Sequence, residues 1–201
     1  MRNGGKHTTT SEGLDKLYGS LSMARVVFRF IGATDALSEL KNLSGASGWK
    51  EPGVRSCVSL QAISNVWYHV FEHVAWAATV APEFVRLDAD AWWARSDWGW
   101  LAFCLIDVYL NVLKARELRK REEGLRIKLR DCSETEAPEI LHKLEQIANQ
   151  KRSLALQNLR MLFYLPNAIH WAYHKPPMPN SFVALMGLAE ALVGLRQTTL
   201  P

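Results

Sequence analysis

The residues that decide the fold run from Trp98 to Leu113 and read WGWLAFCLIDVYLNVL. This stretch has only two clearly polar side chains, Asp107 and Asn111, and the basic block KARELRKR follows it directly. Tryptophans at one end of an apolar helical run and basic residues at the other end are typical of a membrane segment. The run is slightly short, because a straight span needs roughly 20 apolar residues and shorter runs are more often buried in a core. The sequence therefore indicates an apolar helix that contacts either lipid or protein.

The composition of the 201-residue chain is that of a single domain with room for a real core. An apolar fraction of 48% and a mean hydropathy of -0.10 exclude a polytopic transporter. The positive charge is concentrated in residues 114–160, which hold twelve of the 24 Lys and Arg residues against eight acidic ones. Because the acids are interleaved and no recognition motif accompanies them, we do not expect nucleic-acid binding. Three scattered cysteines without CxxC spacing favour a reducing compartment.

The N-terminal region predicts an amphipathic helix from Leu14 to Ile31. It follows a polar stretch, residues 1–13, that we expect to be disordered and that has no secretory signal. At about 100° per residue, the polar residues of the helix form a stripe roughly 80° wide. Such a helix suits a membrane surface, with its charged stripe facing water, or else a bundle in which it has a broad buried face. The expected membrane-surface residues are Leu14, Leu17, Leu21, Arg25, Phe28, Arg29 and Ile31.

The rest of the chain predicts further helices and no strand, because no strand-period alternation lasts longer than five residues. A loop rich in Gly and Ser over 42–53 precedes a second helix, which Ala81-Pro82 ends. The fold class is therefore all-α: a helical membrane protein with an N-terminal amphipathic helix and two short apolar helices. The elements expected within the single domain 1–201 are a helix over 54–80, a membrane segment over 98–113 in a helix that reaches about 129, a basic polar loop and helix over 114–160, a fourth helix over 139–164 that Pro166 kinks or ends, and a membrane segment over 182–195.

Polar residues inside apolar helices are the remaining candidates for a site. His69 and His73 have the i, i+4 spacing of metal ligands, but the order HVFEH differs from HExxH and no third ligand is near in sequence. We therefore predict neither a metal nor a cofactor. Glu72 has apolar neighbours and needs a buried partner, for which His170 is the candidate. Nucleophile–base arrangements, phosphate-binding loops and paired catalytic carboxylates are missing from the sequence, so we do not expect an enzyme.

Several runs, taken in order, resemble one family. They are FEHVAWAA from Phe71 to Ala78, Trp92-Trp93 before the apolar span, NAIHW over 167–171, Pro176-Pro177, and Leu185-Met186-Gly187. This order is similar to that of the peroxisomal membrane protein 11 family, specifically its gamma-type branch. The likeness extends from about residue 20 to 197, and the Glu-His-Val-Ala-Trp-Ala run is its most specific part.

The resemblance implies a protein of the peroxisomal membrane that promotes elongation, division and proliferation of peroxisomes. It implies remodelling of the membrane by the N-terminal amphipathic helix. The implied partners are peroxisomal membrane lipids, other copies of the chain through self-association, and the peroxisome fission machinery. The start of the chain departs from the family, whose members carry a further helical stretch where this sequence has MRNGGKHTTTSEG. In the runs that carry the resemblance we expect a polar cluster between packed helices, made of Glu72, His73, Trp76, His170 and Trp171.

The membrane topology stays open at this point, and so does the question whether the apolar helices contact lipid or other parts of the protein. Two spans with both ends in the cytosol, the family's usual picture, would place residues 114–160 inside the organelle, whereas their basic surplus favours the cytosolic side. The helices could also dip into the bilayer without crossing it. The alternative function is that of a soluble all-α interaction module, in which both apolar segments are core.

Overall fold

The computed structural model describes residues 4–133, 135–173, 175 and 177–198 of the chain. Within these residues every regular element is helical, which confirms the prediction of an all-α fold. The elements are α1 Gly4–Phe28, α2 Phe30–Asn42, a short 3-10 turn Ser44–Ala46, α3 Pro52–Val80, α4 Ala89–Asp131, α5 Ala137–Ala172 and α6 Asn180–Thr198.

The helices pack in the order in which they follow one another along the chain. α2 lies on α3, α3 on α4, α4 on α5 and α5 on α6, whereas α1 touches the rest at few places. One core region lies between α4 and α5, where Leu101 packs against Ala168 and Ala172. Burial of these apolar side chains is the main term that stabilises the bundle. Another core region lies between α3 and α4 and consists of Val54, Cys57, Val58, Leu110 and Leu113.

The ends of α3 and α4 follow local sequence signals. Pro52 lies in the first turn of α3, where a backbone N–H has no helical partner in any case. Ala81 leaves helical geometry directly before Pro82, as the proline requires. Asp88 caps α4, because its carboxylate accepts a hydrogen bond at 3.3 Å from the N–H three residues further on. The predicted second helix is thus confirmed as α3.

The N-terminal region differs from the prediction in two ways. Residues 4–13 belong to α1, so the prediction of disorder is wrong for this stretch, while residues 1–3 lie outside the described part of the chain. Gly and Thr favour helix poorly, but a helix extends readily once a turn has formed, since each added residue brings one hydrogen bond. The helix predicted over 14–31 is divided at Arg29, where the chain turns between α1 and α2.

The apolar helix continues beyond the predicted membrane segment, as expected. α4 ends at Asp131, close to the predicted end near 129, and α5 begins at Ala137. Pro166 lies inside α5, so the prediction that it could end the helix is wrong. A proline removes one helical hydrogen bond, and the packing of the following turns against α4 offsets this loss.

α3 and α4 approach each other closely at Gly99. A Cβ atom at this position would lie 2.6 Å from Cδ1 of Trp67 and 3.1 Å from the backbone nitrogen of Tyr68. One turn earlier, the hydroxyl of Ser96 donates a hydrogen bond of 2.9 Å to the carbonyl oxygen of Tyr68. Because the backbone of α3 cannot move aside, this contact sets the register of α3 against α4 and with it the position of every polar side chain on α3.

Candidate functional site

The apolar face of α1 and the start of α2 point away from the bundle. Leu14, Leu17 and Leu21 are 61%, 56% and 57% exposed. Phe28 and Ile31 are 75% and 67% exposed. A continuous exposed apolar row is unusual on a soluble monomer and is typical of a surface that binds a membrane or another protein.

The polar stripe of α1 faces the bundle in part, because Ser22 and Arg29 are half-buried whereas Tyr18 and Arg25 are exposed. Val26, which lies beside this stripe, is 3% exposed. The Arg29 side chain turns inward to a carboxylate on α3, whereas Arg25 remains exposed. α1 is therefore attached to the bundle through its polar side, while its apolar side is free.

Glu72 joins the turn between α1 and α2 to α3. Its Oε1 accepts one hydrogen bond from Nη1 of Arg29 and another, of 2.7 Å, from the hydroxyl of Tyr68. The Glu72 side chain is 3% exposed and that of Arg29 is 34% exposed. The prediction that His170 is the partner of Glu72 is wrong, because Arg29 takes this role from a position 43 residues away in the sequence.

The environment of this junction keeps Arg29 charged and keeps Tyr68 and His69 neutral. Desolvation by burial lowers the pKa of Arg29, but its interactions with Tyr68 and Glu72 outweigh this effect, so the pKa is raised. Burial, and then the nearby charge of Glu72, raise the pKa of Tyr68. Burial lowers the pKa of His69, and the neighbouring His73 and Arg29 lower it further. Glu72 thus receives its hydrogen bonds from one cation and one neutral hydroxyl.

We predict that Glu72→Ala destabilises the protein, because it leaves the Arg29 guanidinium and the buried Tyr68 hydroxyl without their acceptor. Loss of one partner of such a contact costs about 1–3 kcal/mol. Thermal unfolding in detergent, followed by circular dichroism, measures the change. The control is Glu139→Ala, which removes a solvent-exposed pair with Lys143 and should leave the unfolding midpoint unchanged. An unchanged midpoint for Glu72→Ala would contradict the role assigned to this junction.

The structure brings the predicted polar cluster together only in part. Glu72 and Trp171 line the same cavity. Nδ1 of His73 lies instead 2.6 Å from a carbonyl oxygen one turn earlier on α3. His170 is buried, and its Nδ1 has no hydrogen-bond partner among the described residues. Trp76 is half-buried on α3.

A cavity of about 520 Å³ lies beneath α1 and is bounded by residues of α3, α4, α5 and α6 as well. Many of its lining side chains are aromatic or acidic, and the ring centroids of Tyr68 and Trp100 are 5.1 Å apart. Burial raises the pKa of Tyr164 to about 12, so this hydroxyl is neutral. Outside α1, the aromatic residues that line the cavity are Tyr68, Trp93, Trp100, Tyr164 and Trp171. The acidic residues that line it are Glu72, Asp97 and Glu190.

Asp97 and Tyr164 line the cavity but were not predicted as site residues from the sequence. For Asp97 the sequence contained one signal, namely that this acidic residue directly precedes the apolar run that begins at Trp98. A tyrosine within an amphipathic helix carries no such signal, because its spacing fits core packing equally well.

Comparison with known families decides which family the protein belongs to. The family model described as Peroxisomal biogenesis factor 11 (PEX11) matches residues 1–199 of the chain. The protein is a member of the PEX11 family. Searches of curated proteins and of solved structures found no match.

Membership of the PEX11 family makes this chain a peroxisomal membrane protein with a role in peroxisome proliferation and division. The predicted family and the predicted location are thereby confirmed. PEX11 is a structural and biogenesis family rather than a family of enzymes. The gamma-type branch stays a prediction.

The helix that suits the membrane is α4. Among the described residues it is the one helix long and apolar enough to cross a bilayer, and only 33% of its most apolar window is buried within the protein. The predicted segment 98–113 lies in this helix, and its exposed side chains include Leu105 and Tyr109. The second predicted segment, 182–195, lies in the shorter α6, and its entry into the membrane stays a prediction.

The sequence runs that carry the PEX11 likeness meet around the cavity. Glu72 comes from the first run, Trp93 from the second, Asn167 and Trp171 from the third, and Gly187 from the last. A Cβ atom at position 187 would lie 3.2 Å from Nδ2 of Asn167, so a glycine there lets α6 approach α5 closely. These four runs are therefore neighbours in one region of the PEX11-family bundle, although they belong to four different helices, α3, α4, α5 and α6.

Proposed function

We propose that this protein elongates peroxisomes by inserting the apolar face of α1 and the start of α2 into one leaflet while α4 lies in the bilayer. The observation that carries the proposal is the orientation of α1, whose apolar side chains point away from the bundle. A helix that lies in one leaflet expands the headgroup layer on that side and favours positive curvature. The side chains assigned to this surface are Leu14, Leu17, Leu21, Phe28 and Ile31. Of the two predicted arginines, Arg29 is paired with Glu72 and Arg25 lies at the edge of the cavity, at the headgroup level.

The energetics support insertion. Each exposed apolar side chain contributes roughly 1–2 kcal/mol when it leaves water. The ordering cost that opposes binding is reduced, because α1 is already helical before it meets the lipid. Several such side chains together are enough to hold a helix at a membrane surface.

The junction at Arg29 gives the inserted helix a mechanical connection to the rest of the protein. Its hydrogen bonds to Tyr68 and Glu72 tie the end of α1 to α3, and α3 packs along α4. A helix without this connection would bind lipid independently of the span. With the connection, the inserted α1 and the membrane helix α4 act as one unit, so membrane curvature is produced where the protein resides.

Alkaline carbonate extraction and imaging test this proposal. A fluorescent fusion of the full chain should coincide with a peroxisomal matrix marker and increase the length of peroxisomes. The protein should stay in the membrane pellet after carbonate treatment. Release into the supernatant would favour the alternative, a soluble all-α interaction module, and would overturn the proposal.

We also propose that the chain self-associates through α6. Leu185, Leu188, Leu192 and Leu195 recur at intervals of three and four residues, and each is more than half exposed. This is the spacing of apolar residues along the seam between two packed helices. The peroxisome fission machinery remains the predicted protein partner of the elongated membrane.

We predict that Leu188→Ala combined with Leu192→Ala reduces self-association. The two substitutions remove side chains from the middle of the α6 seam while the surface stays apolar. Chemical cross-linking in membranes should yield several-fold less dimer. Leu141→Ala, at an exposed position of α5, is the control for loss of an exposed leucine and should cross-link like the native chain. Equal dimer yields for all variants would show that α6 is not the contact.

A further inference from the structure

We propose that the cavity beneath α1 binds the headgroup of a phosphoethanolamine lipid, with the primary ammonium inside and the phosphate at the rim. The inference rests on the proposed function, because the lipid comes from the leaflet that holds α1. Three features carry it: acceptors without donors inside the cavity, an excess of carboxylate there, and a free guanidinium at its edge.

Three of the residues that line the cavity have oxygen acceptors without a donor. Glu72 and Asn167 are 2% and 3% exposed, yet Oε2 of Glu72 and Oδ1 of Asn167 have no hydrogen-bond partner among the described residues. The carboxylate of Asp97 makes no hydrogen bond or ion pair with any described residue. A buried acceptor without a donor is costly, so the cavity favours a ligand that brings several N–H groups.

The charges of the lining select a cation. Glu190 is paired with Arg160, which lies outside the cavity lining, and Oε1 of Glu72 is paired with Arg29. This leaves Asp97 as the lining carboxylate without a paired cation, whereas the second oxygen of Glu72 is an acceptor on a carboxylate whose charge Arg29 already balances. Burial, and then the nearby charge of Glu72, raise the pKa of Asp97 to about 7, so a cation bound beside it stabilises its charged form. The aromatic rings of the lining add a further attraction for a cation. A primary ammonium satisfies both demands, because it has one positive charge and three N–H donors.

Arg25 supplies the complementary group at the rim. It lines the same cavity, is exposed, and makes no ion pair with a described side chain, whereas Arg29 is occupied by Glu72. Tyr18 also lines the cavity and is 71% exposed, so the cavity reaches the surface beside α1. A guanidinium binds phosphate oxygens through paired hydrogen bonds. An ammonium inside and a phosphate outside is the arrangement of phosphoethanolamine.

The position of α1 favours a lipid over free phosphoethanolamine. Leu21 and Phe28 lie on the same helix as Arg25, on its outer face. When this face is in the leaflet, the rim of the cavity is at the level of the headgroups. A phosphocholine lipid has the same phosphate and the same charge but no N–H donor, so it would leave the buried acceptors unpaired.

Binding of short-chain lipids to the full chain in a maltoside detergent tests the inference. Calorimetric titration with dihexanoyl phosphatidylethanolamine should show saturable binding, and Asp97→Asn should weaken it by at least about tenfold. Dihexanoyl phosphatidylcholine and free phosphoethanolamine should both bind more weakly than the ethanolamine lipid. Asp90→Asn, the same change at an exposed position of α4, is the control and should bind like the native chain. Asn167→Asp, which adds a carboxylate inside the cavity, should bind at least as tightly as the native chain.

The outcomes separate the possible failures. Equal affinity for the ethanolamine and choline lipids, or unchanged binding by a folded Asp97→Asn variant, would overturn the inference. If free phosphoethanolamine binds as tightly as the lipid, the ligand is a soluble metabolite and the lipid assignment fails. None of these results depends on membrane curvature. Failure of the native chain to elongate peroxisomes would instead overturn the proposed function, whatever the titrations show.

Discussion

Peroxisome elongation by the full chain is expected to be lost when Leu21 and Phe28 are both replaced by glutamate. The two side chains are 57% and 75% exposed on the outer face of α1 and therefore touch no core. Each replacement removes roughly 2 kcal/mol of favourable transfer free energy from water to lipid. It also adds a charge to the face of α1 that enters the leaflet. Binding of α1 to the leaflet should therefore fall by at least about a hundredfold.

Organelle length in cells and tubulation of vesicles by reconstituted protein measure this effect. The matched control is the exchange Leu21→Phe with Phe28→Leu, which keeps the composition and the apolar character of the face. This control should elongate peroxisomes like the native chain. The glutamate variant should still unfold at the native temperature and remain in the carbonate-resistant pellet, because α4 is unchanged. Normal elongation by a correctly located glutamate variant would disprove the wedge mechanism.

The second large effect is expected for Gly99→Ala, which should destabilise the packing of α3 on α4. The added methyl would lie 2.6 Å from the Trp67 ring and 3.1 Å and 3.3 Å from backbone atoms of α3. A side chain can move aside but the backbone of a packed helix cannot, so the two helices must separate. Overpacking of this kind costs about 1–3 kcal/mol, and Gly99→Val should cost more.

Gly124→Ala is the control for this prediction. It makes the same change in the same helix at an exposed position, where a Cβ would meet nothing within 4 Å. Alanine favours helix over glycine by up to about 1 kcal/mol, so this variant should be slightly more stable than the native chain. Thermal unfolding in detergent should place the two variants on opposite sides of the native protein. A stabilised Gly99→Ala variant would mean that α3 and α4 do not approach each other as closely as described.

Patterns local to the sequence were enough to predict most of the helices. The bounds of α3 follow from Pro52 and from Ala81-Pro82, because proline restricts its neighbours whatever the rest of the chain does. The helix that contains 98–113 follows from its apolar run, and α4 includes it. The prediction of disorder over residues 4–13 is wrong, and Pro166 does not end α5, because helix propagation and packing outweighed intrinsic preference at both places.

The amphipathic character of α1 is visible in the sequence, but the direction in which each face points is not. Periodicity shows that Leu21 and Phe28 lie on the opposite side from Val26 and outside the polar stripe that contains Arg29. It cannot show which side meets the bundle, since a polar stripe fits water and a buried carboxylate equally well. Glu72 decides the question, because its nearly buried side chain requires a cation and Arg29 is the one that reaches it.

The cavity depends entirely on tertiary structure. Asp97 and Asn167 are 70 residues apart and come together only because α4 packs on α5 and α6 packs on α5. Spacing along one helix shows which residues share a face, and the sequence alone is enough to predict this. Distances between helices depend on how their surfaces fit, at contacts such as Gly99 against α3, and only the folded bundle contains that information.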